Sequence, residues 1–122
     1  MRQAMTDGSC EMLGSFFATF AHATRMRIFC ALQSGPRTVT EIAAEAGISI
    51  TNASQHLRLM RDRGAVVAEK RAQNVYYHLA DRRFVEAAVL IREVLFERLL
   101  LETRLASIQP QRRRFAGALQ TV

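Results

Sequence analysis

The chain has 122 residues, a length that holds a single core, and 49% of them are hydrophobic, which is enough to fold. A net charge of +6 and an isoelectric point near 10.6 favour a polyanionic partner. Two prolines and six glycines argue against disorder, the two cysteines exclude a disulfide framework, and no run approaches the roughly 18 apolar residues of a membrane span.

Residues 1–9 are polar and read as a flexible N-terminus without the charged start and apolar stretch of a signal peptide. From Cys10 onward Met12, Leu13, Phe16, Phe17 and Phe20 recur at helical spacing and predict a first helix with a broad apolar stripe. A second helix over residues 24–33 turns Ile28, Phe29 and Leu32 inward, and Gly35-Pro36 stops it. Thr38 and Glu41 then form a Thr-x-x-Glu capping box for a short third helix with Ile42, Ala43 and Ala46 on its apolar face. Gly47 sits where that helix must end, because glycine enters the left-handed conformation without a Cβ clash.

Ser49 is the expected N-cap of a fourth helix. Ala53, Leu57 and Met60, joined by Ile50, are its predicted inward positions. Thr51, Asn52, Ser54, Gln55 and His56 face outward near its start, and Arg58, Arg61 and Arg63 follow. A solvated face usually mixes acids with lysines at i, i+4 spacing. Here short uncharged donors and acceptors come first and arginines after, which suits base edges and phosphates. The two helices and their glycine turn match a helix-turn-helix that lays its second helix in a DNA major groove.

Gly64 ends the fourth helix, and residues 65–70 and 75–79 read as strands around a turn at Arg71-Ala72-Gln73-Asn74. Val75, Tyr77 and Leu79 share one face, Tyr76 and His78 the other. Lys70, Arg71, Gln73 and Asn74 cluster at the tip, with Tyr76 beside them, where they can reach a phosphate or a minor groove. A final helix from about 81 to 105 carries apolar residues on more than one face, among them Val89, Leu90, Val94, Phe96 and Leu99, so it must be covered on two sides. A second copy of the chain is the simplest cover for one of them. This predicts a symmetric homodimer through the first and last helices, with Leu13, Phe16, Phe17, Phe20, Val89, Leu90, Val94, Phe96 and Leu99 at the interface. Residues 10–105 thus form one DNA-binding and dimerisation domain, and residues 106–122 a basic tail with Arg112, Arg113 and Arg114.

The chain resembles the ArsR/SmtB family of bacterial winged helix-turn-helix repressors. Three motifs carry the likeness. Phe20-Ala21-His22-Ala23-Thr24-Arg25-Met26-Arg27-Ile28 is similar to that family's Leu-Ala-His-Pro-Thr-Arg-Leu-Arg-Ile, with Ala23 in place of the usual proline. Ser54-Gln55-His56-Leu57-Arg58 is similar to its Ser-Gln-His-Leu core, and Tyr76-Tyr77-His78-Leu79-Ala80-Asp81 to the wing's return strand. The likeness covers about residues 12 to 105. It implies a mainly α fold with a small β-hairpin, in the order α1-α2-α3-α4-β-β-α5. It also implies a homodimer bound to double-stranded DNA at an inverted repeat, with the two recognition helices about 10 base pairs apart.

The family's metal sites are not matched. The third helix holds Thr40-Glu41-Ile42-Ala43-Ala44-Glu45 where one such site has cysteines, and the last helix opens on Asp81-Arg82-Arg83 and contains no histidine. His22, His56 and His78 lie in three separate motifs and are not expected to converge, so neither a metal nor another cofactor is expected. Cys30 stands where a persulfide- and oxidant-sensing subgroup has its second-helix thiol. That subgroup's partner thiol falls near Phe96, and Cys10 is the candidate to replace it, in a dithiol switch set against an inert small apolar Cys30. An effector, small molecule or oxidant, is left unidentified.

Two other functional classes compete. A winged-helix protein-interaction module would show aromatic or aliphatic anchors in place of Thr51, Asn52, Ser54 and Gln55. An enzyme would need paired carboxylates, a nucleophile elbow, a phosphate loop or clustered ligands, and none of these is present.

Overall fold

In the computed structural model residues 7–108 are described. The elements in chain order are α1 (Asp7–Phe20), α2 (Ala23–Leu32), β1 (Arg37–Thr38), α3 (Val39–Ala46), α4 (Ile50–Asp62), β2 (Val66–Arg71), β3 (Asn74–Leu79) and α5 (Arg83–Ile108). The chain divides into two compact units, one reaching to Ala80 and one starting at Asp81.

The first unit is built around α2, α3 and α4. Ile28, Ile42, Leu57 and Met60 are fully buried, and small residues (Ala31, Ala43, Ala46 and Ala53) let these helices approach closely. Antiparallel β2 and β3 close the unit, with Val66 paired to Leu79 at the base and Arg71 to Asn74 at the tip. Ala72 and Gln73 alone make the turn, and Ala72 takes the left-handed conformation at φ 54°. One strand is absent from the sequence reading. Arg37 and Thr38 add β1 to the free edge of β3, opposite Tyr77 and Tyr76, so the sheet runs β1-β3-β2.

Three expectations are corrected here. Phe20, assigned to a dimer interface, is 9% exposed and packs edge-on against Phe29 at 5.3 Å, so it belongs to the subunit core. Ile50, assigned inward, is 50% exposed, because as the first residue of α4 it precedes the turns that pack. The helix expected from Cys10 starts at Asp7.

In the second unit Asp81 shapes the start of α5. Its carboxylate accepts the Arg83 backbone N–H at 2.8 Å and faces the Arg83 guanidinium with Nη2 at 2.8 Å. These bonds hold the carboxyl down at about 2. Along α5, Leu90, Ile91, Val94, Phe96, Leu100 and Leu101 are all more than 40% exposed within this single chain. No helix among the described residues is long and apolar enough to cross a membrane. The tail with Arg112, Arg113 and Arg114 lies outside the described residues.

Candidate nucleic-acid interface

The helix pair is fixed by its ends. Thr38 Oγ1 accepts the Glu41 backbone N–H at 3.3 Å, while Glu41 Oε1 accepts the Thr38 N–H at 2.9 Å, completing the capping box. The Thr38 N–H, and after it the Thr38 hydroxyl donating to Glu41 Oε1 at 3.1 Å, favour the charged form and hold the Glu41 carboxyl below the usual carboxylate range. Gly47 closes α3 at φ 71°, and its N–H returns to the Ala43 and Ala44 carbonyls. Two residues later Ser49 Oγ accepts the Asn52 N–H at 3.0 Å and opens α4.

The caps and the buried row Ala53, Leu57 and Met60 leave the other side of α4 to solvent. Thr51, Ser54, Gln55, Arg58 and Arg61 are exposed, and Asn52 is half-buried. The side chains of Thr51, Ser54, Gln55, Arg58 and Arg61 form no hydrogen bond or ion pair among the described residues. Ser49 is exposed too, with its oxygen engaged in the cap. This is a row of polar groups, two of them guanidiniums, with nothing among the described residues to satisfy it.

His56 departs from that row. It is half-buried, and its ring lies 5.0 Å from the ring of His22, centroid to centroid. The expectation that the three histidines lie apart is corrected in this respect: His22 caps α2, accepting the Thr24 N–H at Nδ1, and that position brings it to the recognition helix. Burial first, then His22 and Arg25, push the His56 imidazole below its ordinary value. His78 is elsewhere engaged, with Nε2 3.7 Å from Glu69. Among the described residues no group of three or more potential ligands could hold a metal ion.

On the wing Lys70, Arg71, Gln73 and Asn74 are exposed and Tyr76 half-buried. Arg71 lies 5.4 Å above the Tyr76 ring and pairs with Glu69 at 3.1 Å, while the Lys70 side chain has no partner among the described residues. Cys10 and Cys30 are both exposed free thiols, so Cys30 is not an apolar core residue. On α1 Leu13 and Phe17 are 41% and 51% exposed, and Phe16 is half-buried; on α5 Leu90, Val94 and Phe96 are exposed, and Val89 and Leu99 half-buried. Sequence reasoning missed His22 and Arg25 as neighbours of α4. Both stand inside the motif that carries the family likeness, the one signal that could have singled them out.

Comparison with known proteins gives a consistent picture. A family profile described as a helix-turn-helix domain matches residues 20–69. The HTH-type transcriptional regulator CmtR of Mycobacterium tuberculosis is 37% identical over 83 residues, covering 65% of this chain and 70% of the relative. The transcriptional repressor SmtB homolog of a Synechocystis species is 30% identical over 92 residues, covering 75% of this chain and 67% of the relative. Among solved structures, the homodimeric winged helix-turn-helix DNA-binding domain Mb0332 of Mycobacterium bovis superimposes with a TM-score of 0.70. It is 24% identical and covers 80% of this chain and 91% of that one, which supports the fold.

Proposed function

The chain belongs to the ArsR/SmtB family of winged helix-turn-helix transcriptional regulators, and from that premise we propose that it is a homodimeric repressor which seats α4 of each subunit in successive major grooves of an inverted-repeat operator. As a member it is a DNA-binding regulator and not an enzyme. The observation that carries the finer reading is the polar face of α4, where Thr51, Ser54, Gln55 and Arg58 are exposed and have no partner among the described residues. A protein-interaction surface would place apolar anchors there. Gln55 has both a donor and an acceptor to offer a base edge, and Arg58, Arg61 and Lys70 suit phosphates.

The dimer is supported by exposed apolar side chains on two helices, Leu13 and Phe17 on α1 and Leu90, Val94 and Phe96 on α5. Like residues from a second copy would bury them about a two-fold axis. Such a regulator works beside the chromosome, in the cytoplasm, and an effector would act by shifting the dimer between DNA-compatible and incompatible spacings of its recognition helices.

Exposure of both thiols favours one class of effector, an oxidant or polysulfide that takes two electrons and two protons from Cys10 and Cys30 and leaves them joined. The test is a titration of the purified chain with duplexes from its own promoter region, reduced and after polysulfide treatment. Tight, salt-sensitive binding to one inverted repeat supports the repressor, and equal weak binding to every duplex overturns it. Loss of binding together with a Cys10–Cys30 peptide in a non-reducing map supports the switch, and a Cys30→Ala variant that still responds overturns it.

A further inference from the structure

Thr19, in the last turn of α1, is the one buried polar residue among the described residues, at 1% exposure. Its hydroxyl donates to the Ser15 carbonyl at 3.2 Å and accepts from Arg63 Nη1 at 3.3 Å. Its own carbonyl accepts from Arg25 Nε at 2.5 Å. Arg25 belongs to the start of α2, and Arg63 caps the C-terminal end of α4. Three helices are therefore joined at a single residue.

The electrostatics explain why two cations gather there. The last carbonyls of a helix lack intrahelical donors and carry the negative end of its dipole. α1 has no basic residue of its own in its last turn. Arg25 and Arg63 bring positive charge to that end from outside the helix, and neither forms an ion pair among the described residues.

In sequence Arg63 continues the series of Arg58 and Arg61, and it is exposed as they are. It differs in direction, because its guanidinium turns back across 44 residues of chain to α1. From this geometry we infer that Arg63 is a positioning residue, tying the end of the recognition helix to Thr19, and not a phosphate contact. Ser49 holds one end of α4 and Thr19, through Arg63, holds the other. The orientation of the DNA-reading face then follows α1.

The inference rests on the DNA-binding reading for its functional readout, so the experiment keeps the two apart. Arg63→Met keeps the length of the side chain without its donors, and Thr19→Val keeps its branched shape without the hydroxyl. Operator affinity is measured for both and for the double variant between 50 and 200 mM salt, at a temperature where circular dichroism shows each fully folded. Each single variant should bind at least about tenfold more weakly, since each subunit loses one charge-assisted hydrogen bond. The double variant should be no weaker than either, and the slope of log affinity against log salt should stay at the wild-type value. A slope shallower by about two units for Arg63→Met, one contact per subunit, overturns the inference, and so does unchanged affinity in either single variant. Should the wild-type chain bind no duplex, the DNA reading fails, and the tether is then judged by thermal unfolding alone. Single-variant shifts in Tm that do not add support it, and additive shifts overturn it.

Discussion

The salt dependence of operator binding can be worked from the free charges of the subunit. Arg58 and Arg61 on α4 and Lys70 on the wing are exposed, with side chains that have no partner among the described residues. Arg71 is offset by Glu69 at 3.1 Å, and Arg63 is turned to Thr19. The α4 faces and wing tips of a dimer would therefore present about six such cations, which predicts a slope near −5.4 for log affinity against log salt at about 0.9 per neutralised phosphate. Raising salt from 50 to 200 mM should weaken binding by about 1,800-fold. Arg58→Ala removes one cation from each subunit, which should bring the slope to about −3.6 and the loss over the same range to about 150-fold. Fluorescence anisotropy of a labelled operator duplex, repeated at five or so salt concentrations, measures both slopes. An unchanged slope in Arg58→Ala refutes its placement on a phosphate. A wild-type slope shallower than about −2 refutes the seating of the α4 face and the wing tip on DNA.

Three further outcomes follow from local geometry. His56 is held below the ordinary imidazole value of about 6.5 by burial, His22 and Arg25. The unfolded chain therefore binds the proton more readily than the folded one; stability should be full above pH 6.5 or so and decline as pH falls through the folded pKa, and His56→Gln should flatten that limb in urea titrations followed by circular dichroism. Ala72 holds φ 54° at the wing turn, so Ala72→Gly should stabilise the fold by up to about 1 kcal/mol in the same assay, whereas Ala72→Val should destabilise it. Val94 is 54% exposed on α5, so Val94→Glu should leave the subunit folded but shift sedimentation at micromolar concentration from dimer to monomer; a variant that stays dimeric removes Val94 from the interface.

Much of the DNA-reading half was legible because its signals are local. The capping box of Thr38 and Glu41, the left-handed Gly47 and the Ser49 cap each act within four residues, so the ends of α3 and α4 can be read without knowing the fold. The inward row Ala53, Leu57 and Met60 follows from helical period alone. What escaped depends on residues far apart in sequence. The two residues of β1 carry no period and become a strand only because β3 offers an edge. His22 meets His56, and Arg63 meets Thr19, across turns whose angles no local pattern states. Phe20 lies on the same apolar stripe as Phe17, but α2 claims one and leaves the other exposed, a division that periodicity cannot make.

The same residues restrict where an effector of the proposed repressor would act. Within the subunit α4 has little freedom: its inward row is fully buried, Ser49 fixes its start and Arg63 its end. Tilting it would expose Leu57 and Met60, at a cost of about 1.5–3 kcal/mol for each side chain uncovered. That is a large part of the 5–15 kcal/mol that holds a typical domain together. A ligand can shift an equilibrium only by its differential affinity for the two states. In the proposed dimer, moving the α4 pair by rotating whole subunits about the apolar faces of α1 and α5 would leave both cores intact and so demand far less of it. The tether places α1 at the centre of that motion, because a turn of α1 about a dimer axis would carry Thr19, Arg63 and the recognition helix together. Cross-linking α4 to α3 inside one subunit should accordingly leave the effector response unchanged, whereas a cross-link between the α1 helices of two subunits should abolish it. A response lost under the first and kept under the second would locate the switch inside the subunit.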